Sequence, residues 1–337
     1  MNTSDTPDTP EIERELDIER KVRYVLLIGG SGFIGSHLAA QLALREYRVL
    51  VPTRRYEHAK HLQVLPTVRI VEADVHDDAE LRRLMDGVDA VVNLVGILHG
   101  KPASNKPYGP EFLQAHVELP RKIVAACSTA GVGRYLHMSA LGADRGGPSM
   151  YLRSKADGEL VARSDPSLDV TVFRPSVVFG EGDRFLNLFA ALQRLFPVIF
   201  LGCADARFQP VYVGDVAQAF VFALEHARAA GKTYELAGPQ IYTLRELVRM
   251  AGAYSGHPRS IVALPQSLAR LQAWVLEHLP GGPLMSRDNL ASMTVDNVAV
   301  HPMDPDLGIV PTPLEAVAPR YLGAPSARRL DALRARH

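Results

Sequence analysis

The 337-residue chain predicts an α/β fold, a doubly wound parallel sheet with a smaller C-terminal α+β lobe. Three observations carry this expectation. Short β-branched runs alternate with helical patterns through roughly the first 180 residues, which is the signature of βαβ units. A glycine triplet follows the first run and opens a helix. Beyond about residue 180 the alternation gives way to proline-rich links, longer helices and isolated strands.

The strands read in order as "YVLLIGG", "RVLVPTRR", "VRIVEAD", "DAVVNLVG", "RYLHMSA" and "VTVFRPSVV". Their near-continuous apolar character predicts a parallel sheet buried on both faces, with right-handed crossovers. The helices between them include "SHLAAQLALRE", "DAELRRLMDG" and "ELPRKIVAACSTAG", the last two closing at glycine. The second part carries "FLNLFAALQRLF", "DVAQAFVFALEHARAAG", the isolated strands "TYELAG" and "RSIVALP", and "YTLRELVRMAG", where Thr243 and Glu246 have capping-box spacing. The expected division is a disordered leader over 1–21, a sheet domain over 22–180, a lobe over 181–323 interleaved with the sheet, and a basic tail over 324–337. The tail, "SARRLDALRARH", reads as a solvated helix end rather than a nucleic-acid arm.

Acidic and basic residues balance at 37 each and 47% of the chain is hydrophobic. The whole-molecule field therefore gives no argument for a nucleic-acid partner. Cys127 and Cys203 lack paired metal or redox spacing and read as reduced core thiols. The polar, acidic leader has no signal-peptide or transit-peptide pattern, and no apolar run approaches the roughly 20 residues that span a bilayer. A cytoplasmic location is the expectation. The amphipathic stretch "SLARLQAWVLEHLPGGPL", 267–284, carries the only tryptophan. Packing on the lobe is its default reading, and peripheral contact with a membrane surface is the sharper one.

The glycines after the first strand fall at Gly29, Gly32 and Gly35. A phosphate-binding turn of Rossmann type wants glycine for positive φ, for close approach of backbone to pyrophosphate, and for tight helix–strand contact. The helix N-terminus then offers amides and partial positive charge. At the end of the second strand an NAD site usually carries an acid for the ribose hydroxyls. Here Thr53 is followed by Arg54 and Arg55, whose guanidinium forks suit a 2′-phosphate, so NADP(H) is favoured over NAD(H). Asp74, ending the third strand, is placed either to accept from an adenine amino group or to cap a helix. The twelve histidines lack metal-ligand spacing, and no metal is assigned.

"GGSGFIG", "EADV", "NLVG" and "YLRSK", each after a strand, with "FRPSVVFG" and "QPVYVGDVAQA", resemble the short-chain dehydrogenase/reductase superfamily in its extended and atypical branches. "YLRSKADGE", "RPSVVFGEGDRFLN" and "QPVYVGDV" look like the branch that contains the nucleotide-binding accessory subunit of mitochondrial complex I and its bacterial relatives. The resemblance implies cofactor contacts from Phe33 and Ile34 in the glycine turn, Val75, Leu94 and Gly96 at the next strand ends, and Pro175 and Val178 at the nicotinamide. It implies that Ser139 polarises a carbonyl, that Tyr151 is the general acid or base, and that Lys155 holds the nicotinamide ribose and lowers the Tyr151 pKa. Tyr151 and Lys155, four apart, share a helix face.

Around this core the chain departs from the sugar-nucleotide enzymes of the superfamily. "ALGADRGGPSM" is a short link before Tyr151, "AHVELPRK" places His116 and Pro120 where a structural asparagine is common, and "GGPSMYLRSK" offers no anchor for a diphosphosugar. Arg174 reads as ligand or structural cation. Asp183 and Arg184 read as substrate contacts or a surface ion pair. Three functions stay open: an NADP(H)-dependent oxidoreductase on a small or lipophilic carbonyl, quinone-related by the family's company; a non-catalytic nucleotide-holding or redox-sensing accessory protein, associated with a respiratory complex; and a sugar-nucleotide epimerase or dehydratase. Substrate and oligomeric state are not legible.

Overall fold

In a computed structural model of the chain, the described residues are 22–102, 106–278 and 285–323. The expected leader over 1–21, the basic tail over 324–337 and the last residues of the 267–284 stretch lie outside them.

The six predicted strands form as β1 (Tyr24–Ile28), β2 (Arg48–Thr53), β3 (Val68–Glu72), β4 (Ala90–Asn93), β5 (Arg134–Met138) and β6 (Asp169–Pro175). Short strands follow: β7 (Val178–Phe179), β8 (Val198–Leu201), β9 (Arg207–Phe208), β10 (Val211–Tyr212), β11 (Thr233–Leu236), β12 (Tyr242–Thr243) and β13 (Ser260–Ala263). The central sheet has seven strands in the order β11-β6-β5-β4-β1-β2-β3, and all its pairings are parallel. Two strands read as isolated have partners: "TYEL" is the edge of the central sheet, paired with β6, and "SIVA" pairs with β8. Each is too short to announce a partner 60 residues away in sequence.

The helices are α1 (Phe33–Leu44), α2 (Asp78–Leu84), α3 (Pro110–Leu113), α4 (Leu119–Ala130), α5 (Met150–Ala162), α6 (Phe185–Leu195), α7 (Val213–Glu225), α8 (Leu244–Tyr254), α9 (Gln266–Glu277), α10 (Arg287–Ser292) and α11 (Leu314–Leu322). Between α3 and α4 the chain makes a π-helical turn over Gln114–Glu118. A core on one face of the sheet combines Val25, Leu27, Val49 and Val51 with Leu38 and Leu42 of α1 and Val216 and Phe220 of α7. The other face packs Leu26, Ile28 and Val91 against Ile123 and Cys127 of α4. Side chains alternate along each strand, so an all-apolar strand feeds both layers. The lobe has its own core, in which Phe189 of α6, Leu247 and Val248 of α8 and Leu314 of α11 meet. Thr243 and Glu246 form the predicted capping box at the start of α8.

The close seat of α1 on β1 depends on Gly35. A Cβ there would lie 2.3 Å from the Gly29 carbonyl oxygen and 2.6 Å from the Gly30 Cα. Both are backbone atoms in a turn, so the helix would have to shift. Gly35→Ala is expected to lower unfolding stability by about 1–3 kcal/mol, the usual cost of overpacking. Urea denaturation of the purified variant measures it.

Candidate functional site

Strand order reverses between β4 and β1, so the crossovers leave on opposite faces and a crevice opens at the strands' carboxyl ends. The candidate residues converge there because each follows a strand of the same sheet. Gly29 leaves β1 with φ +84°, and a Cβ on it would come 3.2 Å from the carbonyl carbon of Leu94, just past β4. The two loops thus meet backbone to backbone at the switch point. Gly32 has φ −81° as the N-cap of α1, so left-handed freedom is required at Gly29 only, and the helix opens with Phe33 and Ile34. The amides at this end have no side-chain cap from Gly32, which suits an anion.

Arg54 and Arg55 are exposed just past β2, and neither forms an ion pair among the described residues. Asp74, past β3, is exposed, and its Oδ1 accepts from the His76 N–H at 3.0 Å. The following α2 is capped by Asp77 instead, whose carboxylate accepts from the amides of Ala79 and Glu80. Val75 is half-buried against the core beside it. Pro175 ends β6, and Val178 lies in β7.

The reactive trio gathers around the ends of β4 and β5. Lys155 is buried on α5 and donates to the carbonyl of Met138, the last residue of β5, at 3.1 Å. A Cβ on Gly96 would lie 3.1 Å from the Lys155 Nζ, so this loop passes close to the ammonium. Burial lowers the Lys155 pKa to about 8, and Glu159 acts in the opposite sense. Ser139 follows Met138. Its Oγ is buried without a hydrogen-bond partner, while its N–H is tied to the Phe173 carbonyl at 2.7 Å. An orphaned buried hydroxyl costs about 1–3 kcal/mol, so the position holds unspent polar capacity.

Tyr151 is half-buried and makes no side-chain hydrogen bond, to Ser139 or to any other described residue. Its ring meets the His116 ring edge-on, with centroids 5.7 Å apart, beside Phe112 and Tyr108. Burial alone raises its pKa to about 12. No charged group offsets this shift, so the hydroxyl is a neutral phenol at neutral pH.

Several residues outside the predicted set matter to this geometry, and of them only His116 stood out in the sequence. His116, on the π-helical turn, accepts from the Ile97 N–H at Nε2 (3.0 Å), so its Nδ1 carries the proton that faces the Ser154 Oγ at 2.8 Å. Ser154 in turn donates to the Tyr151 carbonyl. Burial, then Lys155 and His137, push the His116 pKa well down, so it is a neutral structural ring. Asp288 of α10 accepts from the amides of Met150 (2.7 Å) and Tyr151 (3.1 Å), while Ser149 caps Leu152. A carboxylate from the lobe thus closes the N-terminus of the helix that carries Tyr151 and Lys155. Asn297 likewise accepts from the Val177 N–H and from the Ser176 hydroxyl, fixing the loop between Pro175 and Val178.

Two polar residues whose roles the sequence left open have protein partners. Arg174 has the place of a structural cation. It makes a two-pronged pair with Glu159, Nε to Oε1 at 2.8 Å and Nη2 to Oε2 at 2.6 Å. Asp183 and Arg184 do not form the surface ion pair among the described residues, and Arg184 is exposed. Asp183 is buried and accepts from the amides of Gly180, Leu186 and Asn187 and from the Tyr321 hydroxyl, which saturates its carboxylate. No group of three metal-ligating side chains occurs among the described residues.

Residues 25–237 match the NAD dependent epimerase/dehydratase family. The chain is 32% identical over 302 residues to the mitochondrial NADH dehydrogenase (ubiquinone) 1 alpha subcomplex subunit 9 of Mus musculus, covering 86% of this chain and 77% of that protein. It is 28% identical over 319 residues to the 2-alkyl-3-oxoalkanoate reductase of Stenotrophomonas maltophilia (strain K279a), covering 85% and 94%. Among solved structures, the dTDP-glucose 4,6-dehydratase of Streptomyces venezuelae with NAD bound aligns at a TM-score of 0.62 and 26% identity, over 72% of this chain and 85% of that one.

Asp288→Ala removes two charge-assisted bonds and is expected to destabilise the protein by about 2–4 kcal/mol. Hydrogen exchange should show faster exchange at the amides of Met150 and Tyr151, with those of β1 unchanged. The Lys155 pKa has a stability consequence of definite sign. Its folded value of about 8 lies below its ordinary one, so between the two the unfolded chain binds more protons, and this contribution rises with pH above about 8. In Lys155→Met that rise should vanish from the pH dependence of urea unfolding.

Proposed function

We propose, from the premise that the chain belongs to the NAD dependent epimerase/dehydratase family, that it binds a pyridine dinucleotide in the crevice between β4 and β1 and reduces a carbonyl compound. The unpartnered, buried Ser139 Oγ beside Lys155 carries this reading. Among the buried side-chain atoms without a partner, this hydroxyl is the one that directly follows the Met138 carbonyl to which Lys155 donates. The residues fit the cofactor: the Gly29–Leu94 approach leaves bare backbone at the pyrophosphate position, and α1 presents uncapped amides. NADP(H) is the preferred form in this proposal, because Arg54 and Arg55 are exposed and without ion-pair partners where a 2′-phosphate would lie.

Each residue has a role that follows from its state. Lys155 has donors left after its bond to Met138, and these hold ribose hydroxyls. Ser139 donates to the substrate oxygen and polarises it. Tyr151, a neutral phenol, donates its proton to that oxygen as the carbonyl is reduced. The bound dinucleotide supplies the hydride. The proposed substrate is a small or lipophilic carbonyl, quinone-related or of the alkyl-oxo type that the Stenotrophomonas relative's name describes.

A second reading rests on a specific observation: the Tyr151 hydroxyl has no bond to Ser139 and its ring is packed on His116. In that reading the protein holds nucleotide without turnover, as an accessory component of a respiratory complex, the class to which the mouse relative's name assigns it. Retention of a site needs no turnover, since a ligand at a hundredfold excess over Kd stabilises the fold by about 2.7 kcal/mol.

Mass spectrometry of the natively purified protein should identify NADPH or NADP, together with any bound carbonyl compound. Tyr151→Phe should then keep the thermal shift given by NADPH while losing at least ~100-fold in its oxidation by that compound, the scale of a general acid. No oxidation by the wild type would favour the accessory reading, and no nucleotide or thermal shift would remove both. Arg54→Ala should weaken NADPH about tenfold and leave NADH unchanged; equal loss for both overturns the 2′-phosphate assignment.

A further inference from the structure

Helix α9 packs inside out. Its buried positions are Ala269 and Ala273, and Ala269 lies against Gly202, where an added Cβ would come within 2.8 Å of the alanine methyl. Its large apolar side chains face the other way: Leu268, Leu271, Trp274 and Val275 are exposed, Leu271 at 55% and Trp274 at 49%. Spacings of three and four place them on one stripe. The lobe default expected for this stretch therefore holds only for the small residues.

The stripe continues onto neighbouring elements. Gln272 of α9 donates to the Phe200 carbonyl at 3.0 Å, and Phe200 stands opposite Val262 in the β8–β13 pair. Phe200 and Val262 are exposed, as are Leu195 and Phe196 just before β8. Singly exposed apolar residues need no explanation; a set on α9 and on the β8–β13 pair bonded to it does.

Charge identifies the occupant. The elements that build this face, over 185–201 and 244–277, contain five arginines and two acids, Glu246 and Glu277, so bases exceed acids here while the whole chain is balanced. Arg194, Arg259 and Arg270 are exposed, and none of them forms an ion pair among the described residues. Glu277, the first acid after α9 begins, is neutralised by Arg287 at 2.9 Å. Two copies meeting through this face would set arginine against arginine, which disfavours self-association. An apolar stripe with tryptophan and an excess of arginine over acid is the chemistry of a helix lying in the headgroup layer of an anionic bilayer.

We propose that the α9 face, with Phe200, Val262 and Phe196, docks the protein peripherally on anionic lipid. No helix among the described residues is long and apolar enough to cross a membrane, so the contact is interfacial. It is independent of the cofactor reading. Docking would leave α10 free to hold Asp288 on α5, because the Asp288 bonds face the sheet domain.

The test is co-sedimentation of the full chain with vesicles of phosphatidylcholine, pure or mixed with phosphatidylglycerol, followed also by Trp274 fluorescence. The expected result is binding to the mixed vesicles with a blue shift, weakening as salt is raised. Leu271→Asp with Trp274→Ser, both at exposed positions, should reduce sedimentation at least ~tenfold, and Arg270→Glu should reduce it less. Unchanged thermal unfolding would exclude misfolding. If the variants do unfold, the wild-type blue shift and its salt dependence still decide. Protein remaining in the supernatant with every vesicle overturns the proposal. So does equal binding to neutral and anionic vesicles, or a dimer in light scattering that Leu271→Asp disperses.

Discussion

The structure depends on a single topological constraint, the reversal of strand order between β4 and β1. All seven central strands run parallel, so all their carboxyl ends open on one side, and crossover helices must cover both faces. At the reversal the flanking crossovers diverge, and the backbone of Gly29 and Leu94 can meet. Every strand end then becomes a position from which a loop residue can address the same space. Arg54, Asp74, Gly96, Ser139 and Pro175 differ in chemistry yet converge for this reason.

What fills the crevice wall is polar and buried, a costly combination unless it is satisfied. Most of it is. Tyr135 links Asn93 to His137, His116 links Ile97 to Ser154, and Arg174 is matched by Glu159. The Ser139 hydroxyl and the His137 Nε2 have no partner, and the Lys155 ammonium is only partly engaged. The same burial that keeps His116 neutral keeps Tyr151 protonated and brings the Lys155 pKa close to physiological pH. Desolvation, rather than mutual attraction between Tyr151 and Lys155, sets the protonation states of this site.

The lobe contributes to the site through its polar groups rather than by forming a separate unit beside it. Asp288 closes α5, Asn297 holds the loop after β6, and Asp183 gathers the amides at the start of α6. Carboxylates and a side-chain amide accepting from backbone N–H groups give fixed geometry at these junctions. The reactive helix is therefore positioned from both sides, by the Ser154–His116 link to the sheet domain and by Asp288 from the lobe. The lobe's outward face, by contrast, leaves large apolar groups unpaired, so its two sides answer to different surroundings.

The sequence by itself determined the six-strand α/β core, the glycine turn, the helix starts and the α8 capping box, because all of these rest on local periodicity or on residues within four positions of one another. It also placed the candidate site residues after strands, and parallel pairing then brought them together. Tertiary structure decided everything that depended on a distant partner. "TYEL" became an edge of the central sheet, Arg174 was claimed by Glu159, Asp183 was spent on amides, and Asp288 reached α5 from 137 residues away. It also decided which face of α9 turned inward, since an amphipathic pattern shows that two faces differ but not which one the lobe will bury. The physical reason is common to all four partners and to α9: backbone periodicity is a short-range property, whereas a side chain's partner is set by where the whole chain closes.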